Sequence, residues 1–174
     1  MKLKILIVDL ETTGLSHDSE IIELAILHCI LETGTDPVRE IDYLHMLQEP
    51  TEPLSKKIAE LTGIKLESLI GTRIDWIRVS RFCSSPDMII AHNAKFDKGF
   101  LCHYLPDLQK AYWRCSAREI PWKKLGYSSA RLSYLLNRFG LEPQRHRALD
   151  DARSLLKILG LRSPKGSPFF KFLL

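Results

Sequence analysis

The stretch V-D-L-E-T-T-G-L, residues 8–15, ends an apolar segment with two carboxylates. The overlapping segment, residues 3–10, is short, continuous and rich in β-branched residues, which predicts a buried central strand. Asp9 and Glu11 are two positions apart, so their side chains project from the same face of that strand. A buried carboxylate is costly unless it is paired or binds a metal. Either one acid caps the T-T-G turn while the other is solvated, or a cation lies between them.

Length and composition indicate one globular domain. The chain has 174 residues with ordinary apolar and charged fractions, which suits one domain with a sizeable core. We expect residues 1–160 to form this domain and residues 161–174, which carry two prolines, to form a short C-terminal tail. The net charge of +4 is compatible with a polyanionic partner but is weak evidence for one.

The cysteines and the N-terminal segment favour an intracellular protein. Four cysteines are scattered without a C-x-x-C pair, which argues against a zinc site or a dense disulfide framework and favours free thiols. No run of about 18 apolar residues is present, so no membrane span is expected. Asp9 and Glu11 interrupt the N-terminal apolar segment before it reaches the length of a signal peptide. We therefore expect a cytoplasmic location.

Hydrophobic periodicity predicts three strands, followed by strands and helices that alternate. The first three strands are residues 3–10, 21–31 and 41–48, and their short links, including T-G-T-D-P at residues 33–37, predict an antiparallel meander. The other predicted elements are strands at residues 88–91 and 112–115, and helices at residues 54–63, 72–84, 94–105, 131–139 and 148–159. This order predicts an α/β domain around a mixed five-stranded sheet flanked by helices.

Two more acids are predicted to face the interior. Asp97 follows the strand at residues 88–91 and shares the apolar face of the next helix; alternatively, it only complements the helix dipole. Asp151 borders the buried face of the last helix, whereas Asp150 should face water. His146 lies in the loop just before that helix, where it is either an ordinary surface residue or a group that covers the first turn.

Together these acids predict a metal site at one edge of the sheet. Four clustered carboxylates repel one another strongly unless cations neutralise them. All-oxygen ligand sets suit Mg²⁺ or Mn²⁺, and two such ions roughly 4 Å apart can hold the attacking and leaving oxygens of a displacement at phosphorus. A nearby histidine, here His146, can accept a proton from the attacking water. The four predicted ligands are Asp9, Glu11, Asp97 and Asp151.

Three motifs resemble those of the DEDDh family of 3′–5′ exonucleases, also called DnaQ-like or DNA polymerase III epsilon-like, which have an RNase H-like fold. They are D-x-E-T-T-G at residues 9–14, H-N-A-x-F-D-x-x-F at residues 92–100, and H-x-A-x-x-D-A at residues 146–152. The sister DEDDy group carries a tyrosine four residues before the last acid, where this chain has Arg147. His146, five residues before that acid, is similar to the histidine branch.

The resemblance implies catalysis with two divalent ions, Mg²⁺ or Mn²⁺. Asp9, Glu11 and Asp151 would hold the first ion. Asp9 would bridge to the second ion, and Asp97 would hold that ion directly or through water. His146 would be the general base for attack of water on the 3′-terminal phosphodiester, with a nucleoside 5′-monophosphate as product.

The resemblance also implies a pocket for the terminal nucleotide of single-stranded nucleic acid, with DNA favoured over RNA. Thr12 and Thr13 resemble the part of that pocket that accepts the 3′-OH. Leu15, Leu61 and Phe96 could pack against the base or sugar; the alternative is that they belong to the core. Two departures from the family are the sequence L-T-G-I where some relatives carry H-G-I, and Cys-Ser where many carry Asp-Thr on the fifth strand.

Other functions and partners are compatible with the sequence. The chain could be an oligonucleotide or RNA 3′-end trimming enzyme of the same fold, or a non-catalytic nucleic-acid-binding module. We expect any polymerase or any replication or repair partner to be a separate chain, and we expect the tail to dock on the domain rather than on a second subunit or a partner. A basic stacking surface for a single strand, or loop residues beside a core tryptophan, are alternative interpretations of Trp113, Arg118, Trp122, Lys123, Lys124 and Tyr127.

Overall fold

The computed structural model describes residues 2–16, 18–32 and 38–174. The predicted break at residues 33–37 lies outside the described residues. In the described residues five strands form one sheet: β1 (Lys2–Thr12), β2 (Ile21–Glu32), β3 (Arg39–Leu47), β4 (Met88–Ala91) and β5 (Trp113–Cys115). Their order is β3-β2-β1-β4-β5, with β1 to β3 antiparallel and with β4 and β5 parallel to β1. The predicted mixed sheet is confirmed.

The predicted helices are present, with differences at their ends. The α-helices of the described chain are α1 (Lys56–Thr62), α2 (Trp76–Phe82), α3 (Ala94–Tyr104), α4 (Ser116–Glu119), α5 (Leu132–Arg138) and α6 (Ala148–Gly160). α2 begins later than predicted because Asp75 caps it, accepting a hydrogen bond from the Arg78 N–H. α1 ends at the predicted Gly63, whose φ of 65° is left-handed. In the described part of the chain, no helix has the length and apolarity that a membrane crossing requires.

Strand β1 is buried on both faces, which explains its continuous apolar sequence. Ile5 and Ile7 pack in a core with β4, α5, α6 and the C-terminal tail. Leu6 and Val8 pack on the opposite face, in a core with α2 and α3. Since side chains alternate along a strand, Asp9 and Glu11 continue the face that carries α6.

The C-terminal tail docks on the domain, as predicted. Phe169 is fully buried, and its ring lies 4.7 Å from that of Trp122, 5.5 Å from that of Phe139 and 5.8 Å from that of Tyr127, between centroids. The tail therefore supplies the centre of an aromatic cluster that closes one end of the core. Trp122 is only 3% exposed and its indole N–H donates to the Ser116 carbonyl, so its interpretation as a stacking surface for a single strand is wrong.

Candidate active site

The two acids of β1 lie half-buried where this strand ends beside α6. Burial and the negative charges of Asp97 and Asp151 raise the pKa of Asp9 well above its ordinary value. Burial, followed by the charges of Asp151 and Glu23, raises the pKa of Glu11 from 4.5 to about 8. Burial and mutual repulsion thus favour the protonated forms of both carboxylates, and a cation beside them would favour the ionised forms.

Asp97 lies in the first turn of α3, directly after β4. It is 4% exposed, so the prediction that it faces the interior is confirmed. Burial raises its pKa to about 7. Because α3 begins directly after the short strand β4, the Asp97 carboxylate lies at the same end of the sheet as Asp9.

Asp151, on α6, has the most informative surroundings of the acids. It is 2% exposed, whereas the neighbouring Asp150 is exposed, as predicted. Its Oδ2 accepts a hydrogen bond of 2.7 Å from Nε2 of Gln144. Its Oδ1 is buried yet accepts no hydrogen bond from any residue that the structure describes. Because a buried polar atom without a partner is costly, this oxygen fits a cation ligand.

His146 lies just before α6 in an unusual backbone conformation. Its φ is 51°, in the left-handed region that non-glycine residues seldom adopt. The possible ligand atoms of Glu11, His146 and Asp151 all lie within 4.8 Å of one another. The imidazole therefore lies beside two carboxylates, just before the first residue of α6.

These groups open into one cavity of about 280 Å³. Its walls include all the predicted catalytic residues, and Leu15 and Phe96 of the predicted nucleotide pocket also line it. Leu61 lies 47% exposed on α1 and is absent from the described walls of this cavity. The predicted catalytic residues in its walls are Asp9, Glu11, Asp97, His146 and Asp151.

Thr12 and Thr13 shape the turn after β1. The Thr12 hydroxyl donates to the Gly14 carbonyl, and the Thr13 hydroxyl accepts a 2.9 Å hydrogen bond from the Glu20 N–H. Both hydroxyls therefore hold the T-T-G turn in place at the end of the acid-bearing strand.

Comparison with known proteins identifies the family. The model of the family RNase_T, described as "Exonuclease", matches residues 6–159. The chain belongs to this family, the DnaQ-like 3′–5′ exonucleases of the DEDDh type. Curated relatives of the chain include DNA polymerase III PolC-type of Bacillus subtilis, 34% identical over 177 residues. The protein of the same description from Thermotoga maritima is 32% identical over 156 residues.

The chain spans a small part of these relatives. The matches cover 91% and 84% of this chain, but 12% and 11% of the B. subtilis and T. maritima proteins. Solved structures with a similar fold include Escherichia coli exonuclease I with single-stranded DNA, with a TM-score of 0.73 and 17% identity over 98% of this chain and 42% of that one. The nuclease domain of 3′hExo, a DEDDh member bound to rAMP, has a TM-score of 0.64 and 20% identity over 88% of both chains. The predicted RNase H-like fold is confirmed.

The donor set of this site fits divalent cations. Glu11, His146 and Asp151 could hold one ion together, and the buried Oδ1 of Asp151 has no hydrogen-bond partner among the described residues. Carboxylate oxygens suit Mg²⁺ and Mn²⁺. The acids of this site could therefore hold a divalent metal ion.

A buried ion pair that was not predicted from the sequence lies beside this site. Glu23 of β2 is fully buried and contacts Arg147, the residue between His146 and α6. Burial opposes ionisation of Glu23, but hydrogen bonds from His45, Arg147 and the Ala148 N–H outweigh it and lower its pKa to about 2. The signal was a lone charge inside the apolar run I-I-E-L-A-I-L, residues 21–27.

We predict that the metal-free protein loses stability as pH rises from about 5 to 8. The folded-state pKa values of Glu11 and Asp97 are raised, to about 8 and about 7, so the folded state binds more protons than the unfolded state in this range. The free energy of unfolding therefore falls with rising pH. The lowered pKa of Glu23 contributes stability that is lost only at acidic pH, below this window.

Chemical denaturation in EDTA at pH 5 and pH 8 measures this effect, with Asp97→Asn as the comparison. We expect the loss of stability between these pH values to be roughly 1–3 kcal/mol smaller in the variant, because one repelling, buried carboxylate is gone. Saturating Mn²⁺ should reduce the loss in the wild-type protein. An equal pH dependence in both proteins would contradict the assignment to this cluster.

Proposed function

We propose that the chain hydrolyses the 3′-terminal phosphodiester of single-stranded nucleic acid, with DNA favoured over RNA, and releases nucleoside 5′-monophosphates. One observation carries the proposal: Asp151, whose buried Oδ1 has no hydrogen-bond partner among the described residues, lies in a group with Glu11 and His146, in a cavity that Asp9 and Asp97 also line. Family membership supports the reaction class, and the cavity supports a terminal nucleotide as the group bound there.

In this proposal the acids would hold two divalent ions, Mg²⁺ or Mn²⁺. Asp9, Glu11 and Asp151 would hold the first, and Asp9 and Asp97 would hold the second, Asp97 directly or through water. When bound, the ions would neutralise the carboxylates and stabilise negative charge that develops at the phosphodiester. His146, within 4.8 Å of Glu11 and Asp151, would accept the proton of the attacking water.

The terminal nucleotide is proposed to lie between Leu15 and Phe96, both of which line the cavity of the acids. Thr12 and Thr13, which do not line the described cavities, are proposed to contact its 3′-OH on sequence grounds. Leu61 stays a proposed contact on sequence grounds alone, since the described walls of the cavities do not include it.

A second, larger cavity supports a single strand as substrate. It measures about 660 Å³ and shares Leu15 and Phe96 with the smaller cavity, so the two are adjacent. Lys95 and Arg118 line it and could contact phosphates. Tyr104 also lines it; one face of its ring stacks on Trp76, and the opposite face could contact a base. The nucleotides on the 5′ side of the scissile bond would lie here.

The polymerase relatives favour DNA as the substrate and a replication or repair polymerase as the context in which the reaction takes place. We propose residues 1–160 as the exonuclease domain and residues 161–174 as its tail, which completes the core. The cysteines are free thiols in the described chain, which is compatible with the reducing cytoplasm where we propose that the protein acts.

Incubation with 5′-labelled single-stranded DNA and RNA of the same sequence tests the proposal. We expect a ladder that shortens from the 3′ end with Mg²⁺ or Mn²⁺, is absent with EDTA, and proceeds faster on DNA. Faster shortening of RNA would favour the RNA-trimming alternative. If the folded, metal-loaded protein shortened neither strand, a non-catalytic binding module would be the better description.

A further inference from the structure

The buried carboxylate of Glu23 is saturated with hydrogen bonds. Arg147 donates from Nε to both carboxylate oxygens at 3.1 Å and from Nη2 to Oε1 at 2.8 Å. The backbone N–H of Ala148 donates to Oε2 at 3.0 Å, and His45 Nε2 lies 2.7 Å from Oε1. Glu23 thus binds the chain at two consecutive residues, one of which begins α6.

These contacts adjoin three of the proposed catalytic groups. Arg147 directly follows His146, and its carbonyl accepts a 2.9 Å hydrogen bond from the Asp151 N–H. Glu23 is also the cross-strand partner of Glu11, so β2 carries it beside the acid of β1. A displacement of Glu23 would therefore be transmitted to the loop that carries His146 and to the first turn of α6.

Stability alone is a poor explanation of this pair. A buried ion pair seldom stabilises a protein more than apolar residues of the same volume would, because two charges must be removed from water. The interior of β2 is otherwise apolar around Glu23, and an apolar residue there would continue the core. The pair fixes the relative orientation of the two residues, because a bidentate arginine–carboxylate contact has one preferred geometry. Apolar packing, in contrast, tolerates small shifts.

A second ion pair joins α6 to the sheet, but it does not adjoin the proposed catalytic groups. Arg153 donates from Nε and Nη2 to Glu40 of β3, at 3.1 Å and 2.7 Å for the shorter contacts. Neither residue lines the cavity of the acids as described. Both pairs join an arginine of α6 or its first flanking residue to a glutamate of the sheet. They differ in their distance along the chain from His146 and in burial, since the Glu23 side chain is 1% exposed and that of Glu40 is 24% exposed.

We propose that Glu23 is a positioning residue for the reaction, a role that rests on the proposed exonuclease function. Through Arg147 and the Ala148 N–H it sets the place of His146 and of the Asp151 turn relative to Glu11. Residues that hold a metal ligand or a substrate-binding group in place, without touching metal or substrate themselves, orient that group. Their loss commonly lowers metal affinity or activity by about 10–100-fold.

The full chain carrying Glu23→Gln or Glu40→Gln tests this role. In Glu23→Gln we expect kcat per folded protein at saturating Mn²⁺ to fall about 10–100-fold, with KM for a labelled single strand changed less than about threefold. We expect Mn²⁺ affinity to weaken by about tenfold. In Glu40→Gln kcat and Mn²⁺ affinity should stay within about twofold of wild type, whatever its stability.

A milder variant, Arg147→Lys, tests the same role in case Glu23→Gln does not fold. Arg147→Lys keeps a cation beside Glu23 but loses the fork, so it should fold and show a smaller loss in the same direction. Equal effects of Glu23→Gln and Glu40→Gln, or wild-type values in both Glu23→Gln and Arg147→Lys, would overturn the positioning role. Mn²⁺ affinity is measured without cleavage, so failure of the wild type to cleave would count against the proposed function and leave this comparison decisive.

Discussion

Asp151→Asn is expected to lower the rate of 3′-end cleavage by roughly 10³-fold or more, whereas Asp150→Asn should leave it within about twofold. Asn has nearly the volume of Asp, so the core around position 151 should keep its packing. The amide oxygen can still accept the hydrogen bond from Gln144. The remaining amide N–H₂ would then face the cavity where an anionic oxygen is needed to hold a cation.

Asp150→Asn is a matched control for Asp151→Asn, because the two acids are adjacent. Asp150 and Asp151 lie in the same turn of α6 and carry the same charge, but only Asp151 is buried and directed at the site. Single-turnover cleavage of a 5′-labelled strand measures the rate, and Mn²⁺ titration measures affinity. Equal losses in both variants would show that the overall negative charge matters and would contradict a specific ligand role for Asp151.

His146→Asn is expected to lower the rate by roughly 10²–10⁴-fold through loss of the general base. Asparagine tolerates the left-handed φ of this position better than alanine, so the backbone should be retained. Mn²⁺ affinity should stay near the wild-type value, because the proposed ligands are carboxylates.

The same variant tests a competing role for this histidine. Because His146 lies within ligand distance of Glu11 and Asp151, it could itself bind the ion. A large loss of Mn²⁺ affinity in His146→Asn would favour that role over the general base. As a further check, imidazole added to His146→Gly should partly restore the rate if proton transfer is what the variant lacks. An unchanged rate in His146→Asn would remove the residue from the mechanism.

Much of the fold follows from local patterns in the sequence. β1 is apolar on both faces, and a strand buried by helices on both sides needs that composition. Gly63 adopts the left-handed conformation that ends a helix, as the sequence indicated. The start of α2 was predicted too early because periodicity does not register the Asp75 cap, which outweighs the residues before it.

Trp122 shows where residue type misleads. An aromatic residue followed by two lysines has the composition of a nucleic-acid contact, but the structure buries the indole and leaves only the lysines exposed. The reason is the tail, whose Phe169 lies 47 positions further along the chain and packs its ring against the indole at a tilt. No local pattern around Trp122 carries that information.

The sequence by itself determined which acids face inward, because strand alternation and helical periodicity assign Asp9, Asp97 and Asp151 to buried faces before any contact is known. Only the tertiary structure decided how they are held. Glu23 meets Arg147 across a separation of 124 residues, and Gln144 binds one oxygen of Asp151 while leaving the other free for a cation. The periodicity of a strand or helix determines which face each of its side chains occupies. Contacts between elements that are distant in sequence depend on how the whole core packs.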